Sequence, residues 1–185
     1  VQWFNVLSDY ANLAGIEKAL QQQNVTVKFP ETDQSGYDPG FLKAAGTAAN
    51  GTLVVATTVP FEEKSTSREL RLFLEWLDKT NAKAPPSALG VQGWSAGLLF
   101  ATALKSLGSN VTRKGLLAAL KATHKWDGHG IHVEADPGSN RPTECWMYLK
   151  VKNGKFVRDY PAKGFSCDPK NVVKLKGNYG KGAGT

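Results

Sequence analysis

The residues of this chain whose types best suit metal chemistry lie close together. His124, Asp127, His129 and His132 share one short segment, and Zn²⁺ accepts neutral imidazoles and carboxylates as ligands. However, the two closest histidines are three positions apart, without the i, i+4 helical pair of a catalytic zinc motif. The glycines between them favour a turn. A metal-dependent hydrolase is therefore the weakest functional hypothesis, and we expect no bound metal.

Motifs of other enzyme classes are absent from the sequence. It has no G-x-S-x-G elbow, no P-loop and no G-x-G-x-x-G fingerprint. These motifs respectively mark an exposed nucleophile, a phosphate cradle and a dinucleotide site. We therefore expect a protein that is not an enzyme, with no catalytic residues and no cofactor.

Polar and aromatic residues follow two predicted strands. Ser8, Asp9 and Tyr10 come after the first strand, and the segment 31–34 comes after the second. Ligands of open parallel sheets bind beyond the carboxyl ends of the strands. Tyr10 could supply an aromatic wall and a hydroxyl. Asp9 could accept hydrogen bonds from an ammonium group, or equally cap a helix.

Three further residues have two interpretations each. Asp33 could face a polar ligand, although a solvated loop carboxylate is the favoured interpretation. Tyr37 could be a lid or a packing residue before a helix. Trp94 could stack on a ligand, but packing in a hinge or core is favoured.

The elements that must position these residues alternate between strands and helices. Apolar runs predict the strands, and capping residues predict where the helices begin. Three strands separated by two helices predict a parallel sheet in an α/β fold. The predicted elements are a strand over 1–7, a helix from 8 or 9 to about 22, a strand over 25–29, a loop over 30–36, a helix over 38–45 and a strand over 52–57.

The rest of the chain reads as three helices and a hairpin. Thr66 and Glu69 match a capping box. A helix over 90–107 is rich in small residues, and Thr112 caps the next helix. Two strand patterns then flank Asn153-Gly154, a type I′ turn signal.

The net charge and the two ends of the chain limit the classes of protein to which it can belong. The net charge is +7, and the nine basic and two acidic residues after Tyr148 account for all of it. A solvated hairpin and tail explains this excess better than nucleic-acid binding, since no aromatic and basic residues interleave in a known motif. We expect residues 177–185 to be disordered or loosely attached. The chain begins within a strand, without Met or a leader, so we expect it to continue upstream.

Two cysteines, Cys145 and Cys167, flank the predicted hairpin. They could be two free buried thiols or one disulfide in an oxidising compartment. Because the hairpin returns the chain near its start, the spacing favours the disulfide.

Several runs resemble the branched-chain amino-acid (Leu/Ile/Val-type) substrate-binding proteins of ABC transporters, which are type I periplasmic binding proteins. The runs are 37–46, 49–55, 60–62, 92–97 and 103–108, and their order and spacing carry the resemblance. It covers essentially the whole chain but corresponds only to the carboxy-terminal portion of the family.

The resemblance implies an α/β fold of two lobes, each a parallel sheet flanked by helices, which this chain leaves incomplete. Residues 1–57 would be part of the carboxy-terminal lobe, and 58–144 part of the amino-terminal lobe. Residues 145–185 would return to the first lobe with the hairpin and basic tail. The ligand-contacting positions implied or considered are Ser8, Asp9, Tyr10, Thr32, Gln34, Tyr37 and Trp94.

The leading hypothesis is an extracytoplasmic solute-binding protein, periplasmic or a cell-surface lipoprotein. It would capture an amino acid or small carboxylate between two lobes for an ABC permease. The missing amino-terminal half would be a second partner. The alternative is a ligand-sensing receptor domain of the same fold that feeds no transporter.

Overall fold

The computed structural model describes residues 1–141 and 143–173, which form a sheet with helices on one face and a neighbouring group of helices. No helix in this part of the chain is long and apolar enough to cross a membrane. Short 3₁₀ turns connect several of the elements. The elements are β1 (Trp3–Val6), α1 (Tyr10–Gln22), β2 (Phe29–Thr32), α2 (Pro39–Ala45), β3 (Leu53–Ala56), α3 (Arg68–Asn81), α4 (Ala88–Ser106), α5 (Arg113–Lys121), β4 (Cys145–Lys152), β5 (Lys155–Tyr160) and β6 (Ser166–Cys167).

The first three strands pair in parallel in the order β1-β2-β3. This confirms the predicted βαβαβ unit. β4 then joins β3 in the antiparallel direction, β5 pairs with β4, and β6 pairs with the start of β4. The sheet is therefore parallel on one side and antiparallel on the other.

The predicted position of the second strand is wrong. The segment 25–29 was expected, but β2 runs from Phe29 to Thr32. After α1 ends at Gln22, Asn24 takes a left-handed conformation (φ 52°), and the chain pairs with β1 only from Phe29 onward. Glu31 and Thr32 consequently belong to a strand rather than to a loop.

Two hydrophobic clusters hold the molecule together. In the first, α1 and α2 cover one face of the sheet; in the second, α3 and α4 pack on the segments around Val59 and Ile131. Phe61 and Phe165 pack against both clusters. The first cluster comprises Leu13, Ala14, Tyr37, Phe41, Ala45, Ala49, Val54, Ala56, Ala88, Met147, Leu149, Val151 and Phe156. The second comprises Val59, Leu70, Phe73, Val91 and Ile131.

Helix caps follow the sequence signals closely. Asp9, Asp38 and Thr112 cap α1, α2 and α5 as expected. The capping box is one residue out of place, because Ser67 Oγ rather than Thr66 accepts the first-turn amide, from Leu70 at 3.2 Å. A side-chain cap needs only the nearest hydroxyl, and both positions offer one.

The closing hairpin and the cysteine pairing are as predicted. Asn153 and Gly154 both have positive φ, 51° and 70°, as a type I′ turn requires. Cys145 and Cys167 form a disulfide that joins β4 to β6. The expectation of disorder over 177–185 lies outside the described residues.

A carboxylate links three strands on the sheet face that faces away from α1 and α2. Glu31 accepts from Trp3 Nε1 at 2.9 Å, from Asn5 Nδ2 at 2.9 Å and from the Tyr148 hydroxyl at 3.2 Å. Burial and this neighbouring carboxylate raise the pKa of Tyr148 to about 12. We call these four residues the Glu31 hub.

The Glu31 hub predicts a pH-dependent loss of stability. Because the raised pKa favours the neutral phenol of Tyr148 in the folded state, this contribution is fully present below pH ~10 and is lost as pH rises towards about 12. Glu31→Gln removes the charge, so we expect the pKa of Tyr148 to fall towards 10, measured by NMR of ¹³C-labelled tyrosine. Glu75→Gln, on the exposed face of α3, is the control. An unchanged titration in Glu31→Gln would contradict the assignment.

Candidate functional site

The carboxyl ends of the three parallel strands meet at one edge of the sheet, which we call the carboxyl edge. β1 ends at Val6, β2 at Thr32 and β3 at Ala56. The loops that follow, 7–9, 33–38 and 57–60, therefore lie side by side. In open α/β sheets this is where ligands bind.

Side-chain hydrogen bonds join these three loops. Ser35 Oγ donates to the Ser8 carbonyl at 2.6 Å, linking the first loop to the second. Gln34 Oε1 accepts from Thr57 Oγ1 at 2.9 Å and from its backbone N–H at 3.3 Å, linking the second to the third. Because its carboxamide oxygen is used, the group that Gln34 can offer a ligand is its NH₂. Sequence reasoning missed Ser35; the short Asp-x-Ser turn was the available signal.

Asp9 both caps α1 and keeps its charge exposed at the carboxyl edge. One carboxylate oxygen accepts from the N–H groups of Ala11 and Asn12 at 2.9 and 3.0 Å. The other accepts from the Asn12 side chain at 2.7 Å. Ser8 lies beside it, and its hydroxyl also accepts from Asn12. The capping role is thus confirmed, and the same carboxylate is fixed in orientation for a second partner.

Tyr10 lies at the first position of α1 with its side chain partly exposed. Its ring rests on the start of α2. A Cβ atom at Gly40 would lie 2.8 Å from the ring, so any other residue there would displace it. Asp38 holds this turn in place by accepting from the Gly40 N–H at 2.6 Å. The ring is therefore a positioned wall of the carboxyl edge.

Two of the predicted contact residues lie beneath the edge rather than on it. Thr32 is fully buried, and its hydroxyl donates to the Val6 carbonyl at 2.9 Å. Tyr37 is 2% exposed and stacks on Phe61. Its hydroxyl donates to Glu62 and accepts from the Phe61 N–H at 2.7 Å. Burial and the Glu62 carboxylate raise the pKa of this phenol well above its usual range.

Trp94, on α4, packs against the second hydrophobic cluster. Its ring packs edge-on against Phe73, with the ring centres 5.9 Å apart. Its indole N–H donates to Glu69 Oε1 at 2.8 Å. These contacts connect α4 to α3, so the structure gives Trp94 a packing environment.

The carboxyl edge is acidic. The segments 7–10, 33–40 and 57–63 contain five carboxylates and no Lys or Arg. Glu63 is neutralised by Arg158, whose guanidinium lies 2.6 Å from it. The four others, Asp9, Asp33, Asp38 and Glu62, have no such basic partner among the described ion pairs. This surface suits a ligand that presents a cation and hydrogen-bond donors.

The histidines do not converge. His124 contacts Asp136 at 2.9 Å, and His129 lies 3.6 Å from Glu69. In residues 1–141 and 143–173 no three His, Cys, Asp or Glu side chains are grouped to hold a metal ion.

His132 belongs to a polar network that the sequence did not indicate. Its Nδ1 lies 2.6 Å from the Val133 carbonyl, so Nδ1 carries the proton and Nε2 accepts from Ser95 Oγ at 2.7 Å. Ser95 in turn accepts from Trp126 Nε1 at 2.8 Å. The network connects α4 to the loop that follows α5. It borders a cavity of about 280 Å³ that is also lined by the buried Thr58.

A family model and several solved structures match this chain. A family model described as "Periplasmic binding protein" matches residues 3–155. A search of curated proteins gives no match. Solved structures with the same fold include the leucine binding protein LivK from Thermotoga maritima, at 18% identity with a TM-score of 0.69. The alignment covers 92% of this chain but 46% of that one.

Two further structures extend the comparison. A branched-chain amino acid ABC transporter protein from Thermus thermophilus, with bound valine, has 16% identity and a TM-score of 0.71, covering 90% of this chain and 47% of that one. A fatty acid ABC transporter substrate-binding protein from Thermomonospora curvata has 17% identity and a TM-score of 0.73, covering 90% and 43%. The chain thus spans less than half the length of these structures. The mixed α/β class that the sequence predicted is confirmed.

The hydrogen bonds of the buried Tyr37 hydroxyl predict that its removal lowers the stability of the protein, whereas removal of the Tyr10 hydroxyl should not. Tyr37→Phe leaves the Phe61 N–H without its acceptor, so we expect a loss of about 1–3 kcal/mol in the free energy of unfolding. Tyr10→Phe is the matched control, because no described hydrogen bond uses its hydroxyl, and should change stability by less than ~0.5 kcal/mol. Urea denaturation measures both. Equal effects would show that the Tyr37 hydroxyl does not hold the carboxyl edge together.

Proposed function

Because the chain belongs to the periplasmic binding protein family, we propose that it forms part of an extracytoplasmic solute-binding protein for an ABC importer. The ligand is a small polar molecule, an amino acid or another small carboxylate. The observation that carries the proposal is the carboxyl edge: an exposed, acidic, hydrogen-bonded surface at the ends of parallel strands, with one aromatic wall.

Four residues of the carboxyl edge are the proposed ligand contacts. Tyr10 supplies an apolar wall, and the fixed carboxylate of Asp9 accepts from a ligand ammonium group. Gln34 offers its NH₂ as a donor, and Ser8 adds a half-buried hydroxyl. Thr32 and Tyr37 act from beneath, by fixing the backbone of the loops.

The same surface supports a second, facing half of the binding site. A ligand carboxylate needs basic side chains or free N–H groups, and the loops of the carboxyl edge contain no Lys or Arg. We propose that the amino-terminal half of the protein supplies these groups across a cleft. Closure of the two lobes then buries the ligand.

The lobe boundaries given by the family resemblance remain part of this proposal. We assign residues 1–57 and 145–185 to the carboxy-terminal lobe and 58–144 to part of the amino-terminal lobe. The two hydrophobic clusters support this division in the main, because the chain passes from the first to the second near Thr58, although Ala88 of α4 belongs to the first cluster. The segment 88–104 within α4 has no charged residue, yet Leu89 and Phe100 are 61% and 49% exposed. A helix that is apolar on all sides is normally covered.

The cellular setting follows from the family. Periplasmic binding proteins act outside the cytoplasm, and a disulfide is stable in oxidising compartments. We propose a periplasmic or cell-surface-anchored protein whose closed form docks on an ABC permease. Titration calorimetry of the complete protein against amino acids, small carboxylates and fatty acids tests the ligand class. Absence of binding to all amino acids and small carboxylates would overturn the proposal.

Asp9 gives a sharper test, since its capping and binding roles can be separated. Asparagine caps a helix about as well as aspartate, so Asp9→Asn should leave the free energy of unfolding nearly unchanged. It removes the charge, so we expect the affinity for an ammonium-bearing ligand to fall roughly 10- to 150-fold, the equivalent of about 1.5–3 kcal/mol. Asp78→Asn, on the exposed surface of α3, is the matched control. Wild-type affinity in Asp9→Asn would leave Asp9 with a capping role alone.

A further inference from the structure

A cavity lies at the end of the sheet opposite the carboxyl edge, where β2 and β3 begin. It has a volume of about 420 Å³ and is lined by residues from the last two turns of α1, from the segment that leads into β2 and from the turn 47–50. Pockets that hold small organic molecules have volumes of this order. We call it the amino-end cavity. None of the proposed ligand contacts lines it, so it is separate from the site described above.

A buried carboxylate lines the amino-end cavity. Glu17 is 6% exposed, and one of its oxygens, Oε1, accepts from the Thr52 hydroxyl at 2.9 Å. No described hydrogen bond uses the other oxygen, Oε2. In the described part of the chain, Thr58 Oγ1 alone is a fully buried side-chain polar atom without a hydrogen-bond partner. Glu17 Oε2 therefore reaches accessible space, and the space that Glu17 lines is the cavity.

This carboxylate has no basic partner among the described ion pairs. Lys18, Lys28 and Lys43 flank the lining segments in the sequence, but none of them lines the cavity. Burial raises the pKa of Glu17, and the hydrogen bond from Thr52 opposes this effect only in part. Buried carboxylates are normally paired with a cation. A positive charge in the cavity would therefore stabilise the ionised form of Glu17.

The end of α1 favours a ligand of the same charge. The carboxyl end of a helix carries a partial negative charge that attracts cations, and the last turn of α1 contains no basic residue. Gln21, in that turn, donates from Nε2 to Thr47 Oγ1 at 3.3 Å, which leaves its Oε1 as an acceptor. Asn24 and Asn50 add two further side-chain amides to the wall. The polar part of the wall therefore offers acceptors around one negative charge.

The composition of the wall favours an organic cation over a metal ion. Leu20, Val27 and Pro30 form its apolar part. Glu17 is the single carboxylate among the described lining residues, and nowhere in the described part of the chain are three His, Cys, Asp or Glu side chains grouped to hold a metal ion. A divalent cation such as Ca²⁺ takes six to eight oxygen ligands. An alkylammonium ion instead needs one carboxylate, a few acceptors and an apolar surface for its stem.

We propose that the amino-end cavity is a second binding site, for a small organic cation that carries a primary ammonium group on an aliphatic stem. The ammonium group donates to Glu17 Oε2 and to Gln21 Oε1, and the stem packs on Leu20. The inference goes beyond the proposed function, because it concerns the opposite end of the sheet and uses none of the ligand contacts proposed at the carboxyl edge.

The probe for the test is butylammonium, titrated into the full chain and followed by ¹H–¹⁵N NMR. We expect saturable shifts of the Asn24 and Asn50 amides at ~10 mM, because a ligand this small can reach millimolar affinity. Butan-1-ol has the same stem without the charge, and we expect it to bind at least ~10-fold more weakly. Absence of saturable shifts at Asn24 and Asn50, or equal affinity for butan-1-ol, would overturn the proposal. Saturation of the same amides by CaCl₂ at a lower concentration would assign the cavity to a metal ion and would also overturn it.

Two substitutions test the role of the carboxylate. Glu17→Gln keeps an acceptor for the Thr52 hydroxyl but removes the charge, so we expect the dissociation constant for butylammonium to rise roughly 10- to 150-fold. Glu75→Gln, on the exposed face of α3, is the matched control and should bind with wild-type affinity. Equal affinity in Glu17→Gln and the wild type would overturn the proposal.

A tethered cation keeps the proposal testable if Glu17→Gln does not fold. Val25 lines the cavity and is 48% exposed, so its replacement leaves the core intact. Val25→Lys places an ammonium group that competes with the probe, and Val25→Met is its neutral counterpart of similar length. We expect Val25→Lys to bind butylammonium at least ~5-fold more weakly than Val25→Met. Equal affinities in the two variants would overturn the proposal.

The carboxyl edge also suits an ammonium group, and the same titration separates the two sites. Shifts confined to the Ser8 and Gln34 amides would support the proposed function and overturn this inference. Saturable shifts at Asn24 and Asn50 that Glu17→Gln weakens would support this inference, whether or not the carboxyl edge binds a ligand.

Discussion

Parallel pairing of β1, β2 and β3 brings the carboxyl ends of all three strands to one edge, and the other features of the molecule depend on this constraint. It places the loops after Val6, Thr32 and Ala56 side by side, where Ser35 and Gln34 join them. It also requires crossover helices, which form the first hydrophobic cluster with the sheet. Both the candidate site and the core are therefore consequences of one strand arrangement.

The charged side chains in the loops of the carboxyl edge are all acidic. This edge offers fixed acceptors, an aromatic wall and one amide donor, but no basic side chain. Such a surface can orient the cationic end of a ligand.

Local signals predicted much of the fold. The caps at Asp9, Asp38 and Thr112 and the turn at Asn153-Gly154 depend on a few neighbouring atoms, so short motifs suffice to identify them. The capping box at Thr66 shows the limit, because Ser67 offers the same hydroxyl one residue later. The predicted position of the second strand was wrong because the strand is defined by its pairing with β1, a contact between residues far apart in the sequence.

The sequence by itself determined the α/β class, the parallel unit and the family and favoured the disulfide, because these depend on order, spacing and local propensity. Tertiary structure decided which candidate residues lie together. The register of β2 buries Thr32, the contacts with Phe61 and Glu62 bury Tyr37, and packing between α3 and α4 holds Trp94 against Phe73 and Glu69. In a strand, a shift of one residue exchanges the buried and exposed faces, and only the packed molecule determines that shift.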